Sequence, residues 1–95
     1  MASYVFSFRG RKDRTAPAEE EAAWGQWFQQ IGSSIIDSGS RVGQVRTVGS
    51  GPSADVLSGY IVVNADNLEA AAALAESCPA ARHGGGVEVG ELVAS

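Results

Sequence analysis

Residues 58–91 read as strand, helix, turn and strand, and this stretch restricts the possible architectures more than any other part of the chain. Gly59, Tyr60, Ile61, Val62, Val63 and Asn64 form a β-branched and aromatic run of strand length. Asp66 or Asn67 can then cap the first turn of a helix through its side-chain oxygen. Over residues 68–77, Leu68, Ala71, Ala72 and Ala75 recur at i, i+3, i+4 and i+7, so one apolar stripe faces a sheet. Cys78-Pro79 closes that helix, because proline lacks the N–H and biases its predecessor away from helical backbone. Gly84, Gly85 and Gly86 turn the chain into residues 87–93, where apolar and polar residues alternate.

Taken in order, the chain begins with a strand over residues 3–9 that places Tyr4, Phe6 and Phe8 on one side. A polar loop with Arg11, Lys12 and Arg14 follows, read as a solvated connection or as a flap whose Arg11 or Arg14 meets an anion. Thr15 can cap a helix with Pro17 in its first turn, and Glu19, Glu20 and Glu21 suit the positive end of its dipole. Trp24, Trp27, Phe28, Ile31 and Ile35 then form a wide apolar stripe on a long helix that ends at Asp37, Ser38, Gly39 and Ser40. Residues 41–48 alternate and predict a second strand, with Val42, Gln44, Arg46 and Val48 on one side. A turn-rich connection over residues 49–55 leads back to the strand at Tyr60.

The resulting order is βαββαβ in a single domain spanning residues 1–95, an α+β, ferredoxin-like plan. Right-handed crossovers put both helices on one face of a four-stranded antiparallel sheet. The other face keeps residues such as Ile61 or Tyr60, Val45 and Leu92, and a large bare apolar face is rare on a monomer. The expected remedy is a symmetric homodimer in which two sheets face each other. A cleft between them would be lined by Ser7, Arg9, Arg46, Asn64 and Glu88, polar residues that have no reason to enter a core.

Composition narrows the function classes. The 95 residues are 44% hydrophobic and 19% charged, which fits a globular chain and not a disordered one. A net charge of −4 without a basic stripe argues against nucleic-acid binding. No long apolar run or secretory leader is evident, so no membrane association and a reduced, cytoplasmic setting are expected. Cys78 stands alone and reads as a small buried residue at a helix end, not a nucleophile.

The residues Gly51-Pro52, the Gly59–Val63 run, Leu68-Glu69-Ala70-Ala71, Cys78-Pro79 and Gly86-Val87-Glu88-Val89 together resemble the YCII-related family, in particular its DGPF branch. The resemblance implies a dimeric α/β barrel. Some relatives of that fold act as isomerases, dehydrochlorinases or cofactor-free monooxygenases on small, often aromatic, acids, many family members have no assigned reaction, and the resemblance implies a site that pairs a His with an Asp near the sheet cleft. This chain departs from the pattern: Ser50 replaces the Asp of Asp-Gly-Pro-Phe, Ser53 replaces its Phe, and Gly90 stands where the family has an Arg after Glu-Val.

His83 is the sole histidine, the residue type whose unperturbed pKa lies nearest neutrality, so it is the candidate general acid or base, with Asp55 or Glu88 orienting its ring. Arg9 and Arg46 are candidates to clamp a carboxylate, with Ser7 and Asn64 beside them. One His and one Cys without paired spacing give no zinc site, no Gly-x-Ser-x-Gly elbow is present, and no cofactor is called for. The leading expectation is a homodimer whose cleft takes a small organic acid, with any catalysis a cofactor-independent isomerase or lyase proton transfer. A non-catalytic ligand-binding or dimerisation module is the competing class, and a monooxygenase of the same fold has only the Trp and Tyr residues in its favour.

Overall fold

The computed structural model describes residues 2–11, 17–50, 55–82 and 84–94. Strand β1 (Ala2–Arg11) is followed by helix α1 (Ala18–Ile31), a 3-10 turn (Gly32–Ser34) and strand β2 (Ile35–Arg41). Strand β3 (Asp55–Ala65), helices α2 (Leu68–Glu76) and α3 (Pro79–Arg82), and strand β4 (Gly86–Glu91) complete the chain. The four strands form one antiparallel sheet in the order β2-β3-β1-β4, the ferredoxin-like arrangement of an α+β fold.

Strand register decides which residues point where. Phe6 lies opposite Ile61 on β3 and Val89 on β4, Tyr4 opposite Val63, and Phe8 opposite Val87, so these side chains share one face. All three helices cover it: Trp27 and Ile31 from α1, Ala71 and Ala75 from α2, and Cys78 just before α3 join those strand residues in a single core cluster. Aromatic rings dominate its centre. Trp27 stacks on Phe6 with ring centroids 6.3 Å apart and meets Phe8 edge-on at 5.8 Å, while Trp24 meets Phe8 edge-on at 5.0 Å. The Trp27 indole N–H donates to the Leu74 carbonyl at 3.0 Å, which satisfies its polar tip and ties α1 to α2. Helix α2 is capped as its sequence suggests, with Asn67 Oδ1 accepting from the Ala70 N–H at 2.8 Å.

Several local readings need correction. Helix α1 stops at Ile31, and Ile35 belongs to β2; Gly32, Ser33 and Ser34 sustain a helix poorly, and the β-branched Ile35 pairs with Val63 on β3 instead. The second strand is therefore Ile35–Arg41, not residues 41–48, and residues 42–50 carry no strand. Gly39 does hold the expected left-handed backbone (φ 61°), but inside β2, where the register shifts against β3. Asp37 Oδ1 accepts from the Gly39 N–H at 2.8 Å and folds this irregularity locally. A Cβ at Gly39 would fall on the Tyr60 carbonyl oxygen, so only glycine lets the two strands approach there.

Pro17 occupies the N-cap of α1 instead of its first turn, its carbonyl accepting from the Glu20 and Glu21 N–H groups. Pro79 does more than end α2: it opens α3, a third helix in a stretch where only a turn is expected. On α2, Ala71 and Ala75 are buried, whereas Leu68 at the start of the stripe is exposed. The last strand ends at Glu91, two residues earlier than the alternation suggests. Arg14, Thr15, Ser53 and His83 lie outside the described residues, as does the Gly51-Pro52 dipeptide.

Candidate functional site

With the helices confined to one face, the opposite face of the sheet carries the polar residues of interest. Its side chains follow from the ladder: Ser7 lies directly between Tyr60 on β3 and Glu88 on β4, and Ser40 on β2 lies opposite Tyr60. One step along, Val5 sits between Val62 and Gly90. Beyond it Ser3 pairs with Asn64, whose Oδ1 accepts from the Ser3 hydroxyl at 3.4 Å. In the other direction Arg9 lies opposite Gly86, which makes it the diagonal neighbour of Glu88 on the same face. The face thus has an apolar floor at Val5 and Val62 and a row of hydrogen-bonding groups across three strands.

Ser7, Arg9, Asn64 and Glu88 are therefore brought to one surface, as the alternation of their strands suggests. Arg46 is not among them. It lies in the irregular segment after β2, and with Gly43, Gln44, Val45 and Val56 it lines an open depression of about 670 Å³. Asp55 opens β3 opposite Arg11 at the end of the sheet, away from the Ser7 row. Val45 falls in the same irregular segment as Arg46. Leu92 lies beyond β4, with its N–H donating to the Ser3 carbonyl at 2.9 Å. Of the pair Ile61 and Tyr60, Tyr60 takes the open side (37% exposed) and Ile61 the core.

Tyr60 is the group in this row that was not singled out as a site residue. The signal was present: Ile61 and Val63 must face Phe6 and Tyr4, which sends Tyr60, Val62 and Asn64 the other way. The strand β4 contributes one side chain here, Glu88, between two bare positions. A Cβ at Gly86 would meet nothing within 4 Å, and one at Gly90 would make only an ordinary contact with Val5 Cγ1 at 3.6 Å.

Perturbed titration lies on the helix side instead. Burial pushes the Cys78 thiol up to about 11, partly offset by the Ala80 and Ala81 backbone, so the residue is a core filler and not a nucleophile. Burial, helped by the Glu91 carboxylate opposite it, also raises the Tyr4 phenol above its ordinary value. Among the described residues no group of three or more His, Cys, Asp or Glu side chains could hold a metal ion, and no helix is long and apolar enough to cross a membrane.

The YCII-related domain matches residues 18–93, from the first helix through the last strand. The chain belongs to the YCII-related family. Among solved structures, this YCII-related protein is similar to a 5-chloro-2-hydroxyhydroquinone dehydrochlorinase from Burkholderia phenoliruptrix, in complex with 2,5-dihydroxybenzoquinone. The two share 15% identity over 90% of each chain, with a TM-score of 0.49. No curated protein matches the chain.

Proposed function

We propose that this YCII-related protein is a homodimer whose two uncovered sheet faces enclose a cleft that binds a small organic acid. The observation that carries the reading is the open face itself, an apolar floor of Val5 and Val62 edged by Ser7, Arg9, Tyr60 and Glu88. The described residues form a slab of 36 × 35 × 20 Å with every helix on one side, so the floor stays wet unless a second copy covers it. Four strands of 10, 7, 11 and 6 residues, spaced about 4.8 Å apart and rising about 3.3 Å per residue, give a footprint of roughly 540 Å². That is about two-thirds of the ~800 Å² per partner that a dimer of standard size buries, so the sheet face alone supplies most of such an interface.

Inside such a cleft the Arg9 guanidinium pairs with the acid's carboxylate, and Ser7 and Asn64 supply neutral hydrogen bonds. The chemistry available to these groups is cofactor-independent proton transfer of the isomerase or lyase type. His83 serves as acid or base, and Glu88 is the carboxylate of this face available to orient it. Asp55 is the weaker partner for that role, since it sits opposite Arg11 at the sheet end.

Native mass spectrometry of the purified protein tests the binding reading. Two chains with a co-purified small acid that is lost in Arg9→Ala are expected; a species without ligand and unaffected by Arg9→Ala overturns it. Once a turnover assay is in hand, His83→Ala is expected to abolish turnover while acid binding persists. Unchanged turnover removes the proton-transfer step and leaves a ligand-binding module.

A further inference from the structure

Beyond the facing of two sheets, we propose that residues 43–48 are an arm that pairs as a strand with the β4 edge of a second copy, with Arg46 opposite Glu88 of the partner subunit. The arm has the composition of a strand but no strand partner in its own chain. Val45, Thr47 and Val48 are β-branched and the segment alternates, yet it carries no strand. The Val42 N–H donates to the Ser58 carbonyl at 2.9 Å, and no backbone-to-backbone hydrogen bond joins residues 43–50 to another described residue. Val45 and Val48 stand 39% and 89% exposed.

The matching edge is β4, outermost in the order β2-β3-β1-β4. It pairs with β1 in an unbroken register, and the Leu92 N–H bond to the Ser3 carbonyl continues that ladder. Hydrogen bonding alternates along an antiparallel strand. Gly86, Glu88 and Gly90 therefore bond to β1, while Val87, Val89 and Glu91 turn their N–H and C=O groups outward. The other edge, β2, is interrupted by register shifts and by the left-handed Gly39, devices that discourage pairing; β4 has neither. The helices also leave this side incomplete: Val87 and Val89 are only partly buried, whereas Phe8 and Phe6 opposite them on β1 are sealed.

Length, charge and shape fix the register. Residues 43–48 match the 6 residues of β4, and an antiparallel ladder with Arg46 opposite the partner's Glu88 pairs all of them. The arm carries Arg46 and no acid, and β4 carries Glu88 and Glu91 and no base. The opposite charges meet at a rung without hydrogen bonds, where facing side chains come closest. Val45 and Thr47 then fall beside the partner's Val89 and the partner's Val87, on the helix-covered side. Gln44 and Val48 fall opposite the partner's Gly90 and the partner's Gly86, bare positions that leave them room. A second copy is the occupant because the chain's own β4 lies across β3 and β1. Residues 42–54 reach at most roughly 45 Å, too little to cross about 14 Å of sheet, follow about 20 Å of edge and return.

Oxidising a mixture of full-length Arg46→Cys and Glu88→Cys chains tests the pairing. A disulfide-linked species of twice the 9.8 kDa chain mass, formed in the mixture and by neither variant alone, is expected. Sedimentation equilibrium gives a second readout. Arg46→Glu and Glu88→Arg should each weaken self-association about tenfold, through two symmetric charge pairs, and the chain carrying both should recover it. Absence of the mixed disulfide overturns the arm, as does its formation by one variant alone. Charge reversals that leave association unchanged, or that the double variant fails to compensate, overturn it too. In each of these cases the facing sheets still stand, because Val5→Asp with Val62→Asp tests them separately. A chain that stays at 9.8 kDa at every concentration overturns both.

Discussion

The two faces of this sheet are made by the same strands, one residue apart, yet they obey different rules. On the covered face Tyr4, Phe6, Phe8, Ile61 and Val63 are sealed by three helices, with no buried polar side-chain atom left unpartnered among the described residues. On the open face Val5, Tyr60 and Val62 alternate with Ser7, Arg9, Asn64 and Glu88, and none of the three helices packs over them. Alternation alone creates the contrast, because a strand residue's neighbour always points to the other side. The covered face is complete within one chain and supplies stability. The open face has no helix over it, and on the reading proposed above it is where a partner and a ligand are recognised.

The contrast predicts a ranked set of outcomes. Trp27→Ala removes the ring that packs α1 on Phe6 and Phe8 and ties it to α2 at Leu74, and should cost about 3–5 kcal/mol in denaturant unfolding. Next comes Gly39→Ala on the edge strand. The left-handed backbone alone costs about 1–2 kcal/mol for an alanine. The clash with the Tyr60 carbonyl adds to that, so a lowered melting temperature and a displaced β2 are expected.

Smaller effects sharpen the comparison further. The Cys78 thiol, held at about 11 in the fold against 9.0 for the free group, keeps its proton after the unfolded chain has lost it. Unfolding then releases a proton, so the thiol's contribution to stability is constant below pH 9 and is lost as pH rises from about 9 to about 11. The raised Tyr4 phenol acts in the same direction. Native protein should resist thiol reagents at neutral pH, and a Cys78→Ala variant should lose part of the alkaline slope. Val62→Thr keeps the β-branched shape. It should change chain stability by no more than about 0.5 kcal/mol, while loosening the dimer in sedimentation equilibrium. A large stability loss from this substitution would mean that the open face behaves like the covered one.

Much of this was legible in the residues. The period-two runs around Phe6 and Ile61 and the 3.6-residue stripe of Trp24, Trp27, Phe28 and Ile31 each match one element, and their order leaves little choice of topology. Between Ile31 and Val48 local preference and tertiary pairing disagree. Ile35 continues the helical stripe by spacing, and residues 41–48 alternate, yet β3 pairs with Ile35, Asp37, Ser40 and Arg41. A seven-residue strand containing Asp, Ser and a left-handed Gly carries almost no strand signal of its own. Pairing with β3 supplies what the local sequence lacks.

That one shift explains the fate of the candidate site. Arg46 has no place in the sheet because its segment is not a strand, whereas Ser7, Arg9, Asn64 and Glu88 share one face because β1, β3 and β4 have strong signals. Tyr60 joins them once Ile61 is fixed opposite Phe6. The roles of Gly86 and Gly90 lie in what they omit, and an absent side chain leaves no mark in an alternation pattern.

Sedimentation equilibrium of the purified protein across micromolar concentrations addresses the open face most directly. A particle of twice the 9.8 kDa chain mass, reduced toward one chain when Val5 and Val62 are both replaced by Asp, is the predicted result. A stable 9.8 kDa monomer at every concentration would contradict it, because Val5 and Val62 would then face water in the working protein.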